Sequence, residues 1–376
     1  MRIAVIGAGA FGGWSALYLL RAGHQVTLID AWGPGNSRSS SGDETRVTRA
    51  CYGPNAVYTN LVAESLPLWK ESEQRWGERL LHPVGSLWMA AGDDSFERAA
   101  VANIREAGLP VEELAVEELR SRWPGVNWEG VRWAVHEPEG GFLLARRACQ
   151  AVMEGLVAEG GTYLEAEAAP GTIRSGRMET IQLSSGVALT MDACVFACGP
   201  WLGRMFPEVI GRRIVATRQE VFYFGAPAGE RPFPVWVDNS RIRYYGIPGN
   251  QWRGFKVAQD VPGAEFDASA GDRVVSAEGL ATVRQYLGFR FPSLKDAPLL
   301  ESRVCQYEMS PDGGLIVDRH PECENAWLVG GGSGHGFKFG PALGQYVARL
   351  VEGAPPEARF ALGRLEDGSS RVRPRI

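Results

Sequence analysis

The chain begins with a strand pattern, a glycine-rich turn and a helix pattern, and this order restricts its fold more than any other feature. Residues 2–6 are apolar and partly β-branched, and residues 7–12 follow directly with the letters G-A-G-A-F-G. Apolar residues recur at helical spacing over residues 11–21, and a second apolar strand over residues 26–29 ends at Asp30. The pattern predicts a βαβ unit in a parallel sheet with helices on its faces.

The glycine spacing, G-x-G-x-x-G between a strand and a helix, is typical of dinucleotide-binding proteins. Gly7 permits the tight turn, Gly9 lets the backbone approach a pyrophosphate, and Gly12 allows the helix to pack closely on the strand. The helix N-terminus offers unpaired N–H groups to the phosphates, and Asp30 is placed to accept hydrogen bonds from a ribose. The alternative for Asp30 is an exposed acid in a turn. The motif alone does not distinguish NAD from FAD.

Further along the chain, the pattern of elements changes and then returns. Helices are predicted at residues 56–76, 95–106 and 144–159, and strands at residues 215–224, 234–237, 243–247 and 255–258. Strands spaced so closely by turn residues are typical of an antiparallel sheet. The end of the chain again has short strands, at residues 315–317 and 326–329, and a helix at residues 341–351. We therefore expect a discontinuous fold of two interleaved domains.

Length, charge and composition exclude several classes of protein. The 376 residues exceed one ordinary core of ~100–150 residues, which agrees with two domains. A net charge of −5 without a run of like charges argues against nucleic acid or an acidic membrane as a partner. No apolar stretch reaches the ~18 residues of a membrane span, and the motif leaves no room for a signal peptide, so we expect a cytoplasmic protein. We interpret Arg371, Arg373 and Arg375 as a solvated terminus.

The cysteines and histidines show no pattern of a metal site. The six cysteines are scattered without a CxxC pair, which indicates reduced thiols, not a disulfide framework. The five histidines have no ligand spacing either, so we expect no metal.

Three later segments carry a resemblance to a known family. These are residues 41–53, residues 304–318 beginning V-C-Q-Y, and residues 332–339 with the letters G-S-G-H-G-F-K-F. Together they resemble the monomeric sarcosine oxidase family, which includes N-methyltryptophan oxidase and pipecolate oxidase within the wider D-amino-acid-oxidase-like flavoproteins. The resemblance covers almost the whole chain, and the closing segment is its most specific part.

The resemblance implies an α/β fold in which a Rossmann-type FAD-binding domain is interleaved with a substrate domain built on a mixed or antiparallel sheet. The FAD-binding domain is expected at residues 1–80, 140–214 and 300–376, and the substrate domain at residues 81–139 and 215–299. The implied enzyme is a monomer that oxidises an amino acid or N-substituted amino acid to an imine and reduces oxygen to hydrogen peroxide. Two alternatives remain open, an FAD dehydrogenase with another electron acceptor and an NAD-linked dehydrogenase.

The resemblance also implies which residues hold the cofactor. They are Gly7, Gly9, Gly12, Asp30, Ser41, Thr45, Arg46, Cys305, Gly332, Gly334 and Lys338. In the family a cysteine at the place of Cys305 bonds covalently to the C8α methyl of the flavin. That chemistry needs a thiolate, which neighbouring basic residues such as Arg303, Arg46 and Arg49 favour. The alternative for Cys305 is a buried strand cysteine that behaves as a small hydrophobic residue.

Lysine is rare, because only four of the 39 basic residues are lysines. The place of Lys256 resembles the family's oxygen-activating lysine, where a compact cation stabilises developing superoxide. Lys338, between two phenylalanines, is implied to bind the substrate carboxylate or the flavin pyrimidine edge. The alternative for both is a surface lysine that lays its aliphatic stem on apolar neighbours, an interpretation that fits Lys70 and Lys295 well.

Two arginines and several aromatic residues complete the expected catalytic and substrate sites. Arg49 matches a carboxylate-binding position, and Arg46 is implied to lie against the flavin, although a local ion-pair network with Asp43 and Glu44 is the alternative. The expected substrate contacts are Arg49, Lys338, Tyr245, Tyr307 and Trp236 with its neighbour Val237. Gly42 and Asp260 stand where sarcosine oxidases have histidines. Both changes alter the volume or charge of the pocket, so the sequence does not identify the amine.

Overall fold

A computed structural model describes residues 1–226, 233–240, 243–250 and 252–365. The basic tail at Arg371, Arg373 and Arg375 lies outside these described residues. The helices are α1 (Ala10–Arg21), α2 (Ala56–Trp76), α3 (Ser95–Glu106), α4 (Val116–Arg122), α5 (Ala145–Ala158), α6 (Leu202–Met205), α7 (Ala277–Arg290) and α8 (Gly340–Val351). Short 3-10 helices cover Gly199–Trp201, Gly211–Arg213, Pro292–Leu294, Phe337–Phe339, Ala358–Phe360 and Leu362–Leu365.

The described strands are numbered along the chain. They are β1 (Arg2–Ile6), β2 (Gln25–Asp30), β3 (Thr45–Thr48), β4 (Leu81–His82), β5 (Ser86–Ala90), β6 (Glu112–Ala115), β7 (Trp133–Glu137), β8 (Gly141–Leu144), β9 (Thr162–Glu165), β10 (Ala168–Pro170), β11 (Ile173–Arg174), β12 (Arg177–Met178), β13 (Thr180–Leu183), β14 (Ala188–Thr190), β15 (Ala193–Phe196), β16 (Val215–Phe224), β17 (Val235–Asp238), β18 (Tyr244–Ile247), β19 (Phe255–Gln259), β20 (Leu299–Met309), β21 (Ile316–Arg319) and β22 (Ala326–Gly330).

The first large sheet contains the predicted βαβ unit at its centre. Its six strands lie in the order β21-β22-β15-β1-β2-β9, and all are parallel except β21. Alternation along β1 sends Ile3 and Val5 into the core with α1, α5 and α8, while Ala4 and Ile6 face the opposite side. There the sheet packs against Ile181 of the small sheet β10-β13-β14. Burial on both faces accounts for the uninterrupted apolar strands seen in the sequence.

The second large sheet has eight strands in the order β20-β16-β19-β18-β17-β5-β7-β6. Its pairs are antiparallel except β17 with β5, which run parallel, so the sheet is mixed. One face packs Phe222, Trp236 and Phe255 against Leu287 of α7. Because side chains alternate along a strand, their chain neighbours Tyr223, Val237 and Lys256 belong to the opposite face, where the candidate site lies.

A smaller sheet, β3-β8-β4, carries the segment that contains Arg46. Among the helices of the described residues, none has both the length and the apolar character required to cross a membrane.

Candidate functional site

Four neighbouring strands of the six-stranded sheet end beside one cavity of about 650 Å³. Gly7 follows β1, Asp30 ends β2, Ala197 follows β15 and Gly332 comes shortly after β22, and all four residues line the cavity. This carboxyl edge is where parallel α/β sheets bind ligands. The eight-stranded sheet supplies part of the wall through Val237, Tyr245, Cys305 and Tyr307.

The three glycines of the motif have distinct roles. Gly7 has a φ of +105°, which residues with a side chain rarely adopt, and the space for its side chain is filled by Ala197. A methyl group on Gly12 would collide with the carbonyl oxygen of Gly7, so this glycine lets α1 approach the turn. Gly9 borders the cavity, and a side chain there would meet Ser41 Oγ at 3.0 Å. Gly7 and Gly12 are therefore required by the close packing of the turn, whereas the role of Gly9 toward a cofactor stays a prediction.

The turn and the start of α1 fit a dinucleotide. Gly9 precedes α1 without a side-chain cap, and the Ala10 N–H donates to Ser41 Oγ at 3.0 Å. Asp30 accepts hydrogen bonds from the N–H groups of Ala8 at 2.7 Å and Trp32 at 2.9 Å. Burial raises the pKa of Asp30. Since each carboxylate oxygen has two acceptor positions, Asp30 can hold the turn and still accept from a ribose, so it is not simply an exposed turn acid.

Two of the other expected cofactor positions are glycines near the cavity wall. Gly332 borders the ring of Phe11, and Gly334, with a φ of +80°, has its missing side chain 2.8 Å from the ring of Tyr307. Both line the cavity, as does Ser41. Thr45 is buried and does not line the cavity, and Thr45 Oγ1 has no hydrogen-bond partner among the described residues.

Cys305 and Arg46 lie together on the wall. An Arg46 Nη donates to Cys305 Sγ at 3.4 Å, and the same guanidinium bonds Asp43 at 3.1 Å and the carbonyl of Gly42 at 2.6 Å. Cys305 is partly exposed and also lines a second cavity of about 330 Å³. Gly42 does not open the pocket as its replacement of a histidine suggests, since the carbonyl of Asn36 occupies the space of a side chain.

Lys256 lies deeper than expected. Its side chain is fully buried, and its Nζ donates to Asp43 Oδ2 at 2.5 Å and to the Thr45 carbonyl at 3.0 Å. Asp43 and Arg46 line the large cavity, whereas Lys256 does not. An ion pair between Asp43 and Arg46 is therefore present, and it extends to a lysine more than two hundred residues away.

Lys338 and Arg49 form another part of the wall. Lys338 Nζ donates to the Tyr52 hydroxyl at 2.8 Å and to the His335 carbonyl at 2.6 Å. Arg49 donates to the carbonyl of Cys51, and its guanidinium lies 4.4 Å from the ring centroid of Tyr52. The two cations thus meet at one tyrosine, and both line the cavity. Both are buried, so neither is a surface residue.

The expected aromatic contacts divide between the two faces of the eight-stranded sheet. Tyr245 and Tyr307 line the cavity, and the Tyr307 hydroxyl donates to Asp260 at 3.1 Å. Trp236 does not line it, because strand alternation turns this side chain into the aromatic core, where it stacks on Phe255 with ring centroids 4.7 Å apart. Its neighbour Val237 lines the cavity instead.

Two acids to which the sequence analysis assigned no catalytic or binding role line the cavity. Asp260 is buried, accepts from Tyr307 and lies 3.5 Å from the Arg243 guanidinium. Glu308 is also buried and accepts from the Gly332 N–H at 2.9 Å, and burial raises its pKa to about 7. The sequence did contain a signal for Glu308, because an acid directly after Tyr307 in a predicted strand segment is rarely buried without a partner.

Comparison with known proteins identifies relatives of the whole chain. Residues 2–350 match the family described as FAD dependent oxidoreductase (DAO). The chain is 28% identical over 373 residues to the N-methyl-L-tryptophan oxidase of Yersinia pestis (strain Pestoides F), covering 96% of this chain and 98% of that protein.

Solved structures share the fold. L-proline dehydrogenase from P. horikoshii superposes with a TM-score of 0.88 at 21% identity, over 98% of both chains. Fructosyl peptide oxidase from E. terrenum superposes with a TM-score of 0.81 at 20% identity, over 96% of this chain and 92% of that one. These similarities support the expected α/β fold, with a Rossmann-type domain and an interleaved mixed sheet.

Proposed function

Because the chain belongs to the FAD-dependent oxidoreductase family, we propose that it oxidises an amino acid or N-substituted amino acid to an imine, with oxygen as the electron acceptor and hydrogen peroxide as the second product. It is an FAD-dependent oxidoreductase of the amino acid oxidase type. One observation carries the substrate class: the cavity that begins at the dinucleotide turn also contains Arg49 and Lys338, two buried cations suited to a carboxylate.

The residues that would hold FAD follow from the geometry of the turn. The N-terminus of α1 and Gly9, which lines the cavity, would hold the pyrophosphate, and Asp30 the ribose. Arg46, Gly332 and the remaining lining residues would surround the rest of the cofactor. We also propose a covalent link through Cys305, supported by its place in the cavity wall, where its Sγ lies 3.4 Å from the Arg46 guanidinium.

When bound, FAD supplies the hydride acceptor for the amine and passes the electrons on. The chain's own residues bind and orient the substrate. Arg49 and Lys338 would hold the carboxylate and so fix the α-carbon, while Tyr245 and Tyr307 would restrict the amine beside them. Positive charge in this wall lowers the pKa of the substrate ammonium, so the amine loses its proton to solvent before oxidation.

A second candidate is an FAD dehydrogenase that passes electrons to another acceptor. The observation in its favour is that Lys256, the cation expected to promote the oxygen reaction, is paired with Asp43 and lies outside the cavity lining. Oxygen consumption with peroxide formation during turnover would exclude this candidate, whereas turnover only with an artificial dye would establish it.

The domain division is also a proposal, supported by the two large sheets. Residues 1–80 and 140–214 contribute β1, β2, β9 and β15 to the six-stranded sheet, and residues 81–139 and 215–299 contribute most of the eight-stranded sheet. Strand β20 pairs along its length with β16 of the eight-stranded sheet. We therefore place the last boundary after Met309 instead of before residue 300.

We further propose a monomer in the cytoplasm, as the resemblance implies. The supporting observation is that all six cysteines are unpaired, as expected in a reducing compartment.

The function can be tested by a panel of amino acids scored for peroxide release. N-methyl, cyclic and unsubstituted amino acids should be oxidised to different extents, and matched amines without the carboxylate should react poorly because Arg49 and Lys338 lose their partner. Equal rates with and without the carboxylate would contradict the proposed binding mode.

A further inference from the structure

Asp43 receives hydrogen-bond donors from four strands. Its Oδ2 accepts from Lys256 Nζ at 2.5 Å and from Arg46 at 3.1 Å. Its Oδ1 accepts from the Tyr223 hydroxyl at 2.6 Å and lies 3.4 Å from the Arg303 guanidinium. These donors belong to β19, β3, β16 and β20, so one carboxylate joins the sheet β3-β8-β4 to three strands of the eight-stranded sheet.

The backbone of Asp43 adopts a conformation that favours glycine. Its φ is +78°, in the left-handed region that residues with a side chain rarely occupy. Aspartate tolerates this region better than most residues, but glycine would occupy it without cost. The four contacts of the carboxylate offset a backbone cost that a glycine would not incur.

Lys256 depends on this carboxylate for its charge. Burial lowers the pKa of Lys256, Asp43 raises it, and the neighbouring Arg46 lowers it again. In return, although burial would raise the pKa of Asp43, Lys256 and Arg46 hold it well below its usual range. The charged or titratable groups around the ammonium are Asp43, Arg46, Tyr223 and Cys305, with Arg303 and Tyr245 beyond them.

We propose that Asp43 is a positioning residue for the acceptor step, which anchors the ammonium of Lys256 against the Thr45 carbonyl and keeps it charged within the protein. The inference rests on the proposed oxidase function for its consequence, but the anchoring itself is a property of the chain. Without the carboxylate, the ammonium would be buried beside the guanidinium of Arg46 with no compensating charge. It would then release its proton, because an unpaired buried cation is costly.

The anchoring can be measured directly, since the chain has only four lysines. In holoenzyme labelled with ¹³C and ¹⁵N in lysine, the Lys256 side-chain signal is the one lost in Lys256→Met. In the wild type its titration gives the pKa of the paired ammonium as the reference. In Asp43→Asn the signal should titrate at least about one pH unit lower. Asp43→Gly should show the same shift. Because glycine adopts this backbone conformation freely, the variant can replace Asp43→Asn if the asparagine variant does not fold.

The neighbouring acid provides a matched control. Glu44 pairs with Arg303 at 3.0 Å and with Arg253 at 3.5 Å, and neither contact involves Lys256. Glu44→Gln should therefore leave the Lys256 titration unchanged. Lys338 provides an internal reference in every sample. An unshifted Lys256 titration in both Asp43→Asn and Asp43→Gly would overturn the proposal, as would an equal shift in Glu44→Gln.

A kinetic arm separates this inference from the proposed function. After anaerobic reduction by substrate, reoxidation by oxygen in Asp43→Asn should slow about tenfold per pH unit above the new Lys256 pKa and recover at lower pH. A pH-independent rate equal to the wild type would remove Asp43 from the acceptor step. If the wild type itself does not react with oxygen, the oxidase proposal fails, and the lysine titration still decides the anchoring.

Discussion

At the scale of single residues, Cys305 lies where the two cavities meet and a guanidinium contacts its sulfur. If the covalent link forms there, Cys305→Ala should release its FAD when the protein is precipitated with acid, whereas the wild type should keep it in the pellet. Cys149→Ala is a matched control, because burial raises the pKa of that thiol to about 12 and leaves it unreactive. Complete release of FAD from the wild type would contradict the link.

Glu308 gives the second prediction at this scale. Burial raises its pKa to about 7, above that of the same carboxyl in the unfolded chain. The folded protein therefore holds a proton that the unfolded chain releases, so this group makes stability fall as pH rises from about 4.5 to about 7. The contribution is at most about 3.5 kcal/mol, from about 1.4 kcal/mol per pKa unit.

Glu308→Gln should remove most of this pH dependence, because an amide does not titrate in this range. The amide oxygen can still accept the hydrogen bond from the Gly332 N–H. Thermal denaturation between pH 5 and 8 should show a smaller loss of melting temperature in the variant than in the wild type. The exposed Glu179→Gln serves as control and should follow the wild type. A variant whose pH profile also matches the wild type would show that Glu308 does not retain a proton in the folded protein.

At the scale of elements, the glycine turn and α1 form a tightly fitted pair. In Gly12→Ala the new methyl would press on the Gly7 carbonyl and approach Ala197 Cβ at 3.1 Å, so α1 must move away from the turn. We expect a loss of about 1–3 kcal/mol in the free energy of unfolding and a lower flavin content. Gly125→Ala, where a methyl group meets open space, should change neither. Equal flavin content and stability in Gly12→Ala would contradict the close packing.

The elements also show what the sequence could predict. Helices α2 and α3 begin and end at the predicted residues because each has a long apolar period, and α8 begins one residue earlier than predicted. The strand patterns located β16 and β19 to within one residue. The parallel pairing of β17 with β5 was not predictable, because it joins segments about 150 residues apart and leaves no local signal.

The site residues that depend on neighbouring segments of the chain could be predicted, and those that depend on contacts between distant strands could not. The glycine turn and Asp30 could be predicted because the strand, turn, helix and second strand that carry them follow one another within thirty residues. Alternation along β17 predicted two faces, but only the packed structure shows that Val237, not Trp236, faces the cavity. The pairing of Lys256 with Asp43 depends on a contact between distant strands, so the lysine was found and its surroundings were not.

At the scale of the whole molecule, the largely parallel sheet ends beside the mixed sheet, and a large cavity between them is lined by the glycine turn and by the cations Arg49 and Lys338. This arrangement supports a single account in which FAD is held at the sheet edge and a carboxylate-bearing amine lies against the wall. The account requires the two sheets together, since Cys305 and Tyr307 come from one and the glycine turn comes from the other.

The most direct test is the flavin spectrum of the purified protein, mixed without oxygen with each member of an amino acid panel and then exposed to air. The account predicts a yellow protein whose flavin absorbance is lost with at least one carboxylate-bearing amine and returns in air, with one peroxide formed for each flavin reoxidised. A colourless protein, or a flavin that no amino acid in the panel reduces, would contradict it.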